Sequence, residues 1–183
     1  MGMLSNIEEI RYEKIDGTIY NMSPSGTYNH ASVNLNIFKH VDRQLKDNIC
    51  RVFSENFDYR YNPETDDYVT PDVMIICDRK KIKANAFHGV AKFIVETLSP
   101  SSIIKDRTIK MKIYEKAGVE EYWIVEPNAC TIEDYVLIEG KYNLVKTWTY
   151  HGDVEEENYN GDEYVTLSSM PHIKIKLKDI FEF

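Results

Sequence analysis

FIVETLSPSSIIKDRTIKMKIYEKAGVEEYWIV, residues 93–125, carries the reading of the fold. Phe93-Ile94-Val95 and Tyr122-Trp123-Ile124-Val125 are short apolar runs of the kind that form buried central strands. Between them Pro100-Ser101-Ser102 announces a helix start and Gly118 a stop, so the sequence predicts a helix over 102–117. At about 100° per residue, Ile103, Ile109, Ile113, Tyr114 and Ala117 share an arc of about 140°, and Asp106 and Lys110 fall inside it. Lys105, Lys112 and Lys116 are expected on the far side, in water. A lysine on a buried face must find carboxylates or phosphate, or shift its pKa. Asp106 and Lys110 also have the spacing of an ordinary helix pair, worth ~0.3–0.5 kcal/mol.

Working outward, Val73-Met74-Ile75-Ile76 is a further buried run. Residues 10–22 read as a hairpin turning at Asp16-Gly17, and residues 21–26 as loop. A helix is expected over 29–45, with His30, Val33, Asn34, Ile37, Phe38, Val41 and Leu45 on one side. Residues 50–61 are extended, with Phe53, Phe57, Tyr59 and Tyr61 alternating with polar residues. The polar run 62–67 connects a hairpin, and 78–90 is a charged loop or brief helix. Residues 131–138 and 142–150 form a hairpin around Gly140, 151–163 is an exposed loop, and 173–177 alternates like an edge strand. The order predicts a mixed α/β fold of α+β type, in a single domain over 1–183.

Hydrophobic residues make up 43% of the 183, with 13 Tyr, which argues against intrinsic disorder. No apolar run approaches the roughly 18 residues that cross a bilayer, and MGMLSNIEEIRYEK does not read as a signal peptide. A cytoplasmic protein without membrane contact is expected. The 30 acidic against 22 basic residues leave −8, which weakens broad attraction to nucleic acid but not a local basic surface. Cys50, Cys77 and Cys130 show no CxxC spacing, and are expected to be reduced thiols without zinc.

Two acids stand at the ends of apolar strands: Asp72 opens the run 73–76, and Glu96 closes Phe93-Ile94-Val95. A carboxylate there costs desolvation energy unless a cation compensates it. Two from adjacent strands can hold a hard cation such as Mg²⁺. The plainer reading is a strand-end carboxylate facing water or capping a loop.

Pro71-Asp72-Val73, Val95-Glu96-Thr97-Leu98-Ser99-Pro100, Asp106-Arg107-x-x-Lys110-x-x-x-Tyr114 and Ala117-Gly118-Val119-x-Glu121-Tyr122-Trp123-Ile124-Val125 occur in that order. In this the chain resembles the Uma family of candidate restriction endonucleases, in the PD-(D/E)XK nuclease superfamily. The likeness extends to Ile15-Asp16-Gly17, Met22-Ser23-Pro24, His30 and Ile180-Phe181, so it covers nearly the whole chain. It implies a restriction-endonuclease-like mixed sheet flanked by helices, with additional N- and C-terminal hairpins. Asp72 and Glu96 would be the two acidic elements. Leu98 stands where the superfamily motif has Lys, and the resemblance places the lysine at Lys110 instead, the residue the helical wheel turns inward.

The resemblance implies metal-assisted hydrolysis of a phosphodiester in DNA. Asp72, Glu96 and the backbone carbonyl of Thr97 would ligate Mg²⁺ or Mn²⁺, and Lys110 would neutralise phosphoryl charge or orient water. Glu13 on the first hairpin, His30 and Tyr114 are secondary candidates, and Glu55 is a weaker one. Arg79, Lys80, Lys81, Lys83, Lys105, Arg107 and Lys112 are basic residues able to meet a phosphate backbone. No nucleotide cofactor is expected, and a homodimer suits duplex cleavage. The rivals are a nuclease-like fold kept as a non-catalytic binding module, and a metal-dependent hydrolase of RNA or small phosphodiesters.

Overall fold

The computed structural model describes residues 11–22 and 26–183. Ile10 of the first hairpin and Ser23-Pro24-Ser25 of the following loop lie outside the described residues. In chain order the elements are β1 (Tyr12–Ile15), β2 (Thr18–Asn21), α1 (Tyr28–Gln44), β3 (Arg51–Ser54), β4 (Asp58–Tyr59), β5 (Val73–Ile76), β6 (Ile82–Lys83), β7 (Ala86–Phe87), β8 (Phe93–Thr97), α2 (Met111–Ala117), β9 (Glu121–Glu126), β10 (Thr131–Ile138), β11 (Lys141–Thr149), β12 (Tyr164–Thr166), β13 (Lys174–Lys176) and α3 (Leu177–Phe181). A short 3₁₀ turn, Arg79–Lys81, precedes β6, and a π-helical stretch, Lys105–Lys110, runs directly into α2.

Six strands form the central sheet in the order β11-β10-β9-β8-β5-β3. Its neighbours are antiparallel except β8 and β9, which run parallel and are joined by the crossover through α2. The first hairpin β1-β2, the pair β12-β13 and the small sheet β4-β7-β6 surround it. Among the described residues no helix is long and apolar enough to cross a membrane.

The period of two along the strands sorts side chains between two cores. Val73, Ile75, Phe93, Val95, Trp123 and Val125 face the layer built by α1 and α3, against Val33, Ile37, Val41, Ile180 and Phe181. Met74, Ile76, Ile94, Tyr122 and Ile124 face the other layer, with Ile15, Ile113 and Tyr114. Fully burying one such aliphatic side chain contributes about 1.5–3 kcal/mol, so either layer is held by many modest gains. Thr27 caps α1 by accepting from the His30 N–H at 3.3 Å. Gly118, at φ +83°, ends α2 in the left-handed region that a Cβ disfavours.

Three expectations need correction. The helix predicted over 102–117 is widened at Lys105–Lys110, where the chain is π-helical. Hydrogen bonds there step to i+5 rather than the i+4 of the α-helix assumed by the wheel, so each residue turns through less than 100°. Lys105 consequently shares the inward side with Lys110, while Ile103 is 37% exposed. Second, Cys50 and Cys77 are joined by a disulfide, and Cys130 alone is a free thiol. The register of β3 on β5 explains this: Arg51 pairs with Ile76, so the next step sets Cys50 opposite Cys77. Third, the strand expected over 173–177 gives up Leu177 to α3 and pairs with β12, outside the central sheet.

Candidate active site

β5 and β8 decide where the acids go. Val73 pairs with Val95 and Met74 with Ile94 in antiparallel register, so one further step sets Asp72 across from Glu96. Side chains so opposed start about 5 Å apart. Both share strand parity with Met74 and Ile94, and therefore point toward the helix of the crossover. The Thr97 N–H donates to Asp72 Oδ2 at 2.7 Å, which fixes that carboxylate against the end of β8.

Lys110 comes down on this pair from above. Its Nζ lies 2.9 Å from Glu96 Oε1, 2.9 Å from Glu13 Oε1 and 3.7 Å from Asp106 Oδ1, with the residue only 3% exposed. Tyr114, one turn on, donates its hydroxyl to the same Glu96 oxygen at 2.6 Å. Glu13 arrives from β1, accepting from the Thr70 N–H at 3.1 Å and from Lys105 Nζ at 2.5 Å. In the widened turn the Tyr122 hydroxyl donates to the Asp106 carbonyl at 3.1 Å.

His30 closes the opposite side. Its Nε2 is 3.4 Å from Asp72 Oδ2, and Asn34, one helical turn away, sets its Nδ2 3.3 Å from His30 Nδ1. Thr97 in turn donates its hydroxyl to Asn34 Oδ1 at 2.5 Å. With Asn34 donating to Nδ1, the proton of a neutral imidazole sits on Nε2 and faces Asp72.

Electrostatics follow from this crowding. Burial works against the charged form of Lys110, but Glu96, Glu13, Asp106 and Asp72 outweigh it and raise its pKa well above the ordinary lysine range. Burial pushes the Glu96 carboxyl well up, with Asp106, Asp72 and Glu13 adding to the shift against the pull of Lys110. Glu13 is also buried, yet Lys110 and Lys105 overcome that and hold it at about 2. For His30, burial is outweighed by Asp72, Glu55 and the Thr97 backbone, and its pKa is raised.

Glu13, His30, Asp72, Glu96, Thr97 and Lys110 thus line one cleft of about 330 Å³, with Tyr114 beneath it. Glu55 lines it too. Of the basic candidates only Lys105 belongs here, while Arg107 forms a two-pronged pair with Glu133 at 2.8 Å on each arm. Sequence reasoning named Lys105 only as a phosphate-backbone candidate on the outer face of the helix, and did not name Asn34 as a member of the cluster. The apolar-face position of Asn34 one turn from His30 was the available signal, whereas nothing local announced the π-turn.

The donor chemistry fits a hard divalent cation. Five carboxylates, Glu13, Glu55, Asp72, Glu96 and Asp106, line the cleft against Arg11, Lys105 and Lys110. Asp106 Oδ1 is buried without a hydrogen-bond partner. Among the described residues no three His, Cys, Asp or Glu side chains form a ready-made metal cage. Mg²⁺ does not need one, because it keeps several waters and binds through one or two carboxylates.

A mixed sheet crossed by a helix, with opposed acids at the ends of two central strands, defines a restriction-endonuclease-like fold. Residues 4–165 match the family described as "Uma2: Putative restriction endonuclease", and the chain belongs to that family. It is 27% identical over 126 residues to the uncharacterized protein slr1290 of Synechocystis sp., a match covering 68% of this chain and 65% of that protein's length. The crystal structure of a "putative nuclease belonging to DUF820" from Anabaena variabilis shares the fold, with a TM-score of 0.69 at 21% identity over 94% of this chain and 90% of that one.

Proposed function

We propose that this protein is a metal-dependent endonuclease that hydrolyses phosphodiester bonds in DNA. The observation that carries the reading is the opposition of Asp72 and Glu96 in a cleft whose acids outnumber its cations, with Lys110 bound to Glu96. The family description and the nuclease description of the Anabaena protein support it.

Asp72, Glu96 and the Thr97 carbonyl would hold Mg²⁺ or Mn²⁺. Such an ion, when bound, polarises a phosphoryl oxygen and acidifies a water. Tyr114 and Lys110 fix the Glu96 carboxylate, and His30 with the Thr97 N–H fixes Asp72. Lys110 and Lys105 bring positive charge to the cleft where a phosphate gains negative charge. Cutting both strands of a duplex takes two such sites, and we assign the working form as a homodimer.

Calorimetric titration of Mg²⁺ into the wild type, Asp72→Asn and Glu96→Gln tests the metal site, alongside cleavage of plasmid DNA. Binding and cleavage in the wild type alone support the enzyme. Absence of metal binding in all three proteins establishes the non-catalytic module instead, and cleavage of RNA with DNA left intact moves the substrate to the rival class.

A further inference from the structure

A second cleft, of about 680 Å³, opens beside the C-terminal half of the crossover helix. Arg60, Lys81, His88, Lys112 and Lys116 line it, and its apolar wall includes Tyr61, Val90 and Ile113. The residues come from separate places: the connection after β4, the 3₁₀ turn, the loop after β7, and α2. Of the basic residues singled out in the sequence, the fold gathers Lys81 and Lys112 here and leaves Arg79, Lys80 and Lys83 outside. Lys81, Lys112 and Lys116 are exposed, and among the described residues none has a carboxylate partner. Arg60 is held by donating to the Asp66 carbonyl at 2.5 Å and lies over the Tyr68 ring at 5.1 Å. Asp16 and Asp78 also line the cleft, and Asp78 is engaged in capping the Lys80 N–H at 3.2 Å.

In a chain of net charge −8, uncompensated lysines converging on one cavity set a local field opposite to that of the whole. A polyanion is the complement of such a lining, and Tyr61 and Val90 add apolar surface beside the charge. The same helix connects the two clefts, since Lys110 lines the first and Lys116 the second. Lys110 and Lys116 stand six residues, about 9 Å, apart along its axis, with Lys112 of the second cleft between them. One strand of nucleic acid, rising about 3.4 Å per nucleotide, covers that in about three nucleotides.

We propose that this cleft binds the sugar–phosphate backbone of a nucleic-acid strand leaving the candidate active site, with Lys81, Lys112 and Lys116 on its phosphates. This rests on the nucleic-acid reading given above and adds a second anchor, one that holds substrate without touching the reacting bond. Phosphate contacts of this kind position the strand and carry no sequence information.

The test is binding of a short fluorescein-labelled DNA duplex, followed by anisotropy in metal-free buffer over a range of salt concentrations. Lys112→Ala/Lys116→Ala is expected to weaken binding and to lower the slope of log K against log salt by about 1–2, the loss of two phosphate contacts. Lys80→Ala/Lys83→Ala removes the same charge outside the cleft and is expected to leave the slope unchanged. An unchanged slope in the cleft variant, or equal losses in both variants, overturns the proposal while leaving the nucleic-acid reading intact. A wild type that does not bind DNA at any salt overturns both. All four lysines are exposed, so circular dichroism of each variant is expected to match the wild type.

Discussion

Lys105 and Lys110 hold the two oxygens of one buried carboxylate, Glu13 Oε2 and Oε1, from positions five residues apart on the same helix. In a regular α-helix that spacing points the side chains well apart, and the π-turn brings them together. Widened turns of this kind recur at functional sites because they re-aim side chains that a regular helix would send elsewhere. The two lysines differ in depth: Lys110 is enclosed, whereas Lys105 stays partly open to the cleft.

That difference in depth sets their effects on stability. Lys110→Met leaves Glu13, Glu96 and Asp106 without their common cation and is expected to cost about 3–5 kcal/mol. For a chain of this length that lowers Tm by about 10 °C in a thermal melt at neutral pH. Lys105→Met is expected to cost less, about 1–2 kcal/mol, because the buried Glu13 carboxylate keeps Lys110 and the Thr70 N–H as partners. Equal shifts in the two melts would contradict the burial argument.

Catalytic effects follow a different order. Under the proposed function, Lys105→Ala reduces single-turnover cleavage of DNA in Mg²⁺ by about 10²-fold, the scale of losing one charge-stabilising donor. Metal affinity, measured by calorimetry, stays within a factor of a few. Full cleavage by this variant would reduce Lys105 to a surface partner of Glu13.

On the opposite face of the sheet, Glu121 accepts from the Ser168 and Ser169 N–H groups at 3.0 and 2.6 Å and from Trp123 Nε1 at 2.8 Å. Burial and repulsion from Asp134 lift its pKa from 4.5 to about 7 against the pull of those donors. Between those two pH values the folded chain binds more protons than the unfolded one, so this group's contribution to stability falls as pH rises. The linked loss is roughly 3 kcal/mol across the window. Asp134→Asn removes the repulsion and is expected to flatten that slope in denaturant melts recorded from pH 4 to 8. A slope as steep as the wild type's would show that burial raises the Glu121 pKa without help from Asp134.

The Cys50–Cys77 disulfide closes a loop with a sequence separation of 27. Chain-entropy arguments assign about 3–4 kcal/mol to a loop of that length. Cys50→Ala/Cys77→Ala is expected to lower the denaturant midpoint accordingly, and wild type treated with reductant is expected to follow it. No change in either would mean that the reduced strands lose nothing by being unlinked.

Much of this was legible because strands and acids share one alternation. The apolar runs at 73–76, 93–95 and 122–125 mark central strands, and the same parity that buries Met74 and Ile94 turns Asp72 and Glu96 to one side. Lys110 was readable from the wheel because its turn lies where the π-stretch gives way to α2. Lys105 was not, since no residue pattern at 102–110 encodes a change of helical pitch. The disulfide depended on the register of β3 against β5, which spacing alone does not supply. Glu121 stood in the family motif, but its clamp on Ser168 and Ser169 joins positions far apart in the chain.

Glu13, Asp72, Glu96 and Lys110 come from four distant stretches, and the first must wait for the last. A half-made chain on the ribosome therefore carries the acids without the cation that gathers them. Truncation before the crossover removes Lys110 and leaves Glu13, Asp72 and Glu96 without it.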